Sequence, residues 1–115
     1  MDIERLATAF SMHDFDLVLP HLAEDVAWDL VGDQTIHGRD MVSRLCGVTA
    51  AALASTTVTV REVRSISGAS TVVVDSVTHY DDPSNGVSVV ASCDLYDHAD
   101  GVITRIRSFT IEVEV

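Results

Sequence analysis

From Ser55 onward the chain is dominated by Val, Ile and Thr in four runs, "TTVTVREVRSIS", "TVVVDSVTHYD", "VSVVASCDLYD" and "VITRIRSFTIEVEV". Branched side chains at this density suit a pleated strand better than a helix. The breaks between runs are Gly68, the "DDPSNG" loop and the "HADG" turn, all residues that reverse a chain within a few positions. Strands joined this tightly pair with their neighbours, so the second half of the chain predicts a four-stranded antiparallel meander. Such a sheet needs a cover on one face.

The first half supplies it. Residues 2–12 place Ile3, Leu6, Ala7 and Phe10 at helical spacing. Asp14 is positioned to cap a second helix, "FDLVLPHLAED", in which Pro20 predicts a break or a tightened turn, with Pro20 restarting the helix. A strand over Val26–Val31, a turn at Gly32-Asp33-Gln34 and a return strand at Thr35–His37 come next. "GRDMVSRLCGVTAAAL" then reads as a third helix with Met41, Leu45, Val48 and Leu53 on its apolar face. The whole is one α+β domain over residues 1–115, large enough to bury a core without metal or disulfide staples.

Charge and composition exclude several classes. The formal net charge is −11 and all seven basic residues are arginines. That balance opposes nucleic acid and anionic membrane surfaces, and the absence of lysine removes Schiff-base chemistry and lysine-tipped phosphate loops. No apolar run approaches the ~18 residues of a membrane span, and the first ten residues lack the basic and apolar regions of a secretory signal. A cytoplasmic location is the expectation. Cys46 and Cys93 fit no metal or redox spacing and read as small buried hydrophobes. The five histidines show no metal-binding pattern, so no metal and no cofactor are expected.

"HDFDLVLPHLAEDVAWD", "IHGRD" at the start of the third helix and "CDLYDHADGVITRIRSF" near the end resemble a SnoaL-like protein of the nuclear transport factor 2-like superfamily. Relatives there include ketosteroid isomerases, polyketide cyclases and limonene-type epoxide hydrolases. The resemblance implies a cone-shaped, curved antiparallel sheet wrapped around three N-terminal helices. It also implies a pocket for a small hydrophobic organic ligand and pairing of two copies through the outer sheet face. Ile103, Phe109, Ile111, Val113 and Val115 alternate with more polar residues on the last strand and would form that stripe.

The relatives' catalytic sets map only partly. Leu30, not Asp29, falls where a steroid isomerase keeps its base, and Leu6 falls where it keeps a tyrosine; Asp94 alone matches. Of the epoxide hydrolase set, Asp75 matches one aspartate, but Val73 replaces the arginine and Ser108 the last-strand acid. Asp94 therefore carries the catalytic reading, since an apolar pocket raises a carboxyl toward useful acid–base values. Tyr96 shares its face by alternation. Asp75 and His37 are further candidate helpers. His79 shares a face with Asp75, and which face that is stays open.

Phe10, Phe15, Trp28, Leu30, Met41, Val90, Ile106 and Ser108, with His79, are the expected ligand lining. Trp28 has an indole N–H that needs a partner when buried. His13, His21 and His98 read as surface residues. Arg105 and Arg107 read as flanking the dimer contact or pairing with acids such as Glu62. Two kinds of function remain open: a cofactor-independent isomerase, cyclase or hydrolase using Asp94, or a non-catalytic ligand-binding or dimerisation module.

Overall fold

The structure is a computed structural model that describes residues 2–114. The first helix, α1 (Ile3–Ser11), is capped by Asp2, whose carboxylate accepts the Glu4 amide at 3.0 Å. Its inner face is Leu6, Ala7 and Phe10, all buried. The second helix, α2 (Phe15–Val18), is a single turn, and Asp14 makes no capping bond to it. Pro20 does not restart the helix. It sits in a 3-10 turn, Leu19–His21, and strand β1 (Leu22–Leu30) begins at once, four residues earlier than the composition suggests.

Strand β2 (Gln34–His37) folds back on β1, and Gly38 turns the chain into α3 (Arg39–Leu53). Gly38 has φ +88, a region closed to most L-residues, while its amide bonds the Val26 carbonyl at 2.8 Å. Arg39 reaches back to the Leu22 carbonyl at 3.3 Å. These contacts explain why a Gly-Arg pair opens this helix. The buried face of α3 is Val42 and Cys46, with Leu45 partly buried beside them; Met41 is 49% exposed and Val48 66%. Compared with the apolar face expected from the sequence, the helix is rotated by about one residue, roughly 100°.

The remaining strands are β3 (Thr57–Ser67), β4 (Thr71–Asp82), β5 (Gly86–Ala99) and β6 (Val102–Val113). They form the expected antiparallel meander, but the full six-stranded sheet runs β2-β1-β6-β5-β4-β3. The β1–β6 pair is parallel, a departure from a purely antiparallel sheet, with Trp28 beside Ile106 and Leu30 beside Ser108. The fold is α+β: three helices with a curved, open sheet. Among the described residues no helix is long and apolar enough to cross a membrane.

Phe10 stands at the centre of the core. Its ring meets Phe15, Trp28 and Tyr96 edge-on at centroid distances of 5.0, 5.1 and 6.0 Å. Helix α1 is also tied to the outermost strand, because Ser65 and Ser67 both donate to the Glu4 carboxylate, Ser67 at 2.8 Å. Those two bonds hold the Glu4 carboxyl below its ordinary value.

The last strand breaks its own alternation. The β5–β6 register shifts between Asp97 and His98, so Ile103 and Ile106 are both fully buried. Ile103 therefore belongs to the core and not to the outer stripe. Phe109, Ile111 and Val113 remain exposed on the outer face; Val115 lies outside the described residues.

Candidate active site

Between the helices and the concave sheet face lies a cavity of about 260 Å³. This is slightly below the range of about 300–1,000 Å³ usual for ligand sites. One wall is apolar: Phe10 and Phe15 from the first two helices, Trp28 and Leu30 from β1, and Leu45 from α3. The opposite wall is hydroxylated, because the inward positions of the sheet are Ser76, Thr78 and Tyr80 on β4, Ser92 on β5, and Ser108 and Thr110 on β6. Val90 and Asp94 complete the β5 contribution, and Ser11, His13 and Thr49 close the rim.

Asp94 is 8% exposed and is the acceptor of two hydroxyl chains. Ser11 donates its hydroxyl proton to Asp94 Oδ2 at 2.8 Å. With that proton engaged, Ser11 accepts from the Tyr96 hydroxyl at 2.6 Å. On the other side the Trp28 indole N–H donates to Ser108 Oγ at 2.9 Å, which leaves the Ser108 proton for Asp94. The indole thus has the partner that burial demands. Burial drives the Asp94 carboxyl above its ordinary value, against the pull of Ser108, Ser11 and the nearby His13. A buried carboxyl whose charged form is disfavoured and which is held by hydroxyl donors is the kind of group that serves as a proton carrier.

A second polar pole lies toward the rim. His13 Nε2 and the Tyr80 hydroxyl are 2.9 Å apart. His13 follows α1 in the left-handed region, φ +66, where its amide bonds Phe10 O at 3.0 Å and the next amide bonds Ala9 O at 2.9 Å. Glycine is the usual occupant of this helix-terminating position, and a side chain there costs about 1 kcal/mol. Burial lowers the His13 imidazole below its ordinary value, so it is neutral at neutral pH, with Asp94 acting in the opposite direction. Tyr80 is raised, first by burial and further by Asp94.

Of the residues singled out from sequence, Asp94, Phe10, Phe15, Trp28, Leu30, Val90 and Ser108 line this cavity. Tyr96 is fully buried behind Ser11 and acts on Asp94 only through that hydroxyl. Burial pushes its phenol well above the ordinary value. Ile106 is core, packed under the cavity floor and not among its lining residues.

Asp75 and His79 do not reach the cavity. The inward residues of β4 are Val72, Val74, Ser76 and Thr78, so Asp75 and His79 point to the outer face. There Asp75 pairs with Arg64 at 3.0 Å. His37 is exposed on the short edge strand β2 and Met41 on the outer side of α3. Neither joins the cavity lining.

Asp29, near the end of β1, is likewise outward. Asp29 lies 3.6 Å from both Arg105 and Arg107, which pair with it and not with Glu62. Cys46 is buried and its thiol is pushed up to about 11, chiefly by burial, whereas Cys93 is only half-buried on the outer face.

His13 and Tyr80 escaped sequence reasoning. The signal was nevertheless present: a helix ends at "SMHD" with histidine where the turn asks for glycine.

No curated protein matches the chain. Among solved structures, it is similar to an NTF2-like protein of unknown function from Cytophaga hutchinsonii, at 24% identity and TM-score 0.81 over 93% of this chain and 94% of that one. It is also similar to a candidate polyketide cyclase from Xanthomonas campestris, at 26% identity and TM-score 0.72 over 92% and 84%. An LEH-like epoxide hydrolase from M. tuberculosis shares the fold at 19% identity and TM-score 0.68 over 94% and 81%. The family model for a SnoaL-like domain matches residues 3–106. Fold, order of elements and sequence thus agree, and the chain belongs to the SnoaL-like family.

Proposed function

We propose that the cavity binds a small organic carbonyl compound of one or two rings and that Asp94 moves a proton on it. The reaction class is cofactor-independent isomerisation or aldol-type cyclisation. In the simplest step the Asp94 carboxylate takes the proton from a carbon next to the carbonyl, and the C–H electron pair moves into an enolate. Asp94 then returns the proton to a different carbon, so no oxidant, reductant or water is consumed. The observation that carries this reading is one carboxyl, buried against an apolar wall, on which two hydroxyl chains converge. The likeness to a candidate polyketide cyclase supports the same class of chemistry.

The direct test is hydrogen–deuterium exchange. Small cyclic ketones and aryl diketones that raise the thermal midpoint are incubated with the protein in heavy water. Deuterium is expected to enter the carbon next to the carbonyl faster with protein than with buffer. A ligand that binds tightly and exchanges nothing would make the domain a carrier.

We further infer that the outer sheet face pairs with a second copy. Phe109, Ile111 and Val113 are exposed there along β6, Ile111 at 67%, Ile66 is exposed on the edge strand β3 with β5 and β4 between, and the helices lie on the opposite face. The Asp29–Arg105–Arg107 cluster borders the patch with both signs of charge, suited to a self-complementary contact. Sedimentation at micromolar concentration is expected to give a dimer, and Ile111→Arg a monomer. A monomeric wild-type protein would contradict the inference.

A further inference from the structure

We propose that Tyr80, oriented by His13, is the hydrogen-bond donor that holds the substrate's carbonyl oxygen as it becomes an enolate. The inference rests on the reading of Asp94 as the proton carrier and names the group that works opposite it.

Three observations meet at this pair. First, the cavity has two polar poles, and a carbon acid needs both: a base for the proton and a donor for the oxygen that receives the electrons. The Asp94 pole is built from groups that donate inward to the carboxylate, through Ser11 and Ser108. Those protons are engaged, so Asp94's immediate partners are poorly placed to serve an oxyanion as well. The Tyr80–His13 pair lines the same cavity, and the charge of Asp94 reaches both of its groups.

Second, donor counting favours an outward-pointing Tyr80 proton. A neutral imidazole carries one N–H. With that hydrogen on Nε2, His13 donates to the Tyr80 oxygen at 2.9 Å, and the phenol proton is left to point into the cavity. A phenol that accepts from an imidazole N–H is polarised as a donor.

Third, the backbone at His13 is strained for a purpose that the turn itself does not require. The helix-terminating bonds to Phe10 O and Ala9 O are made by main-chain amides, and glycine would make them without strain. What glycine lacks is the ring that touches Tyr80 and stacks edge-on against Phe15 at 5.7 Å. Here the fold gives up stability for an imidazole at the cavity rim. Tyr80 and His13 are thus a donor and its positioning residue.

The test uses para-nitrophenol, a compact phenol whose ionised form mimics an enolate and absorbs at its own wavelength. Wild-type protein is expected to bind it as phenolate. Tyr80→Phe should weaken that binding about 10–100-fold, the usual worth of a hydrogen bond to a charged oxygen. His13→Gly should weaken it about 3–10-fold while the thermal midpoint holds or rises, a combination that a merely structural histidine would not give.

Asp94→Asn should tighten phenolate binding, because it removes a like charge. Nitrogen NMR of the imidazole, which needs no ligand, should find the His13 hydrogen on Nε2. Phenolate binding that is absent in the wild type, or unchanged in Tyr80→Phe, overturns the proposal, as does a bare Nε2 accepting from Tyr80. Sensitivity to Tyr80→Phe with Asp94→Asn inert in both binding and deuterium exchange would instead sink the reading of Asp94 and leave the donor assignment standing.

Discussion

Asp94→Asn is expected to lower turnover by about 10²–10⁴-fold, the usual contribution of a positioned general base, and at the same time to raise the thermal midpoint at neutral pH. The two effects have one cause. Burial in the cavity wall raises the Asp94 carboxyl above its ordinary value of 3.8, so the folded protein resists the charge that the reaction requires. The sign follows from linkage. In sufficiently acid solution Asp94 is protonated in both folded and unfolded chains and carries no penalty. As pH rises from 3.8 through the raised folded value, the unfolded chain ionises more readily and stability is lost.

The midpoint difference between Asp94→Asn and wild type should therefore be smallest in acid, open across that window and stay level above it. Asparagine keeps an acceptor for Ser11 or Ser108, so the variant loses the charge with little change of shape. Thermal scans at several pH values check the sign, and deuterium exchange checks the turnover. A variant that is less stable than wild type at neutral pH would refute the account of the buried carboxyl. A variant that turns over normally would refute its catalytic role.

Phe10→Ala should cost about 3–5 kcal/mol, measured by urea unfolding, as expected for removal of a fully packed aromatic side chain. That is a large share of the roughly 5–15 kcal/mol that holds a domain of this size together. Phe10 is 3% exposed and its ring is the common neighbour of Phe15, Trp28 and Tyr96. The same substitution enlarges the cavity on the side of the Trp28–Ser108 bond, so ligand affinity should fall along with stability. Phe10→Leu, which keeps most of the volume, should lose much less. Equal losses for the two variants would mean that the ring cluster is not the centre of the core.

These consequences were legible in the sequence to different degrees. The order of elements and the meander could be read directly, because Val/Ile/Thr runs and short polar turns leave few other solutions. On β1 the faces could be read as well: Trp28 and Leu30 point in and Asp29 points out. On β4 they could not, since Val72, Val73 and Val74 are apolar on both sides and alternation decides nothing. It is the alternation of burial along β4, and the Arg64–Asp75 ion pair across the β3–β4 pair, that places Asp75 and His79 on the outer face.

Ile103 was misplaced for a different reason. The irregularity between β5 and β6 puts two isoleucines of opposite parity into the same core, and no residue pattern announces it. The missed face of α3 reflects tertiary packing. Val42 and Cys46 are buried, while the larger Met41 and Val48 face outward. A polar residue in a turn looks ordinary, so the helix end at "SMHD" is a weak signal, and the backbone angle of His13 is what marks the position as one that glycine usually fills.

The place of β6 between β1 and β5 has a consequence for how the protein is made. Leu22 pairs with Ile103 and Leu30 with Ser108, contacts that join distant parts of the chain. Pairings this remote in sequence slow folding, because a long loop must close before they can form. During synthesis α1, β1 and the β3–β5 meander emerge first, with the edge of β5 open and the Trp28 indole lacking its serine. The β6 wall of the cavity, Thr110 and Ser108 with its Trp28 bond, is complete only when Val102–Val113 pairs with both edges, whereas the Ser11 chain joins α1 to β5 without it. Until then the unpaired β1 and β5 edges are the surfaces a chaperone would need to shield.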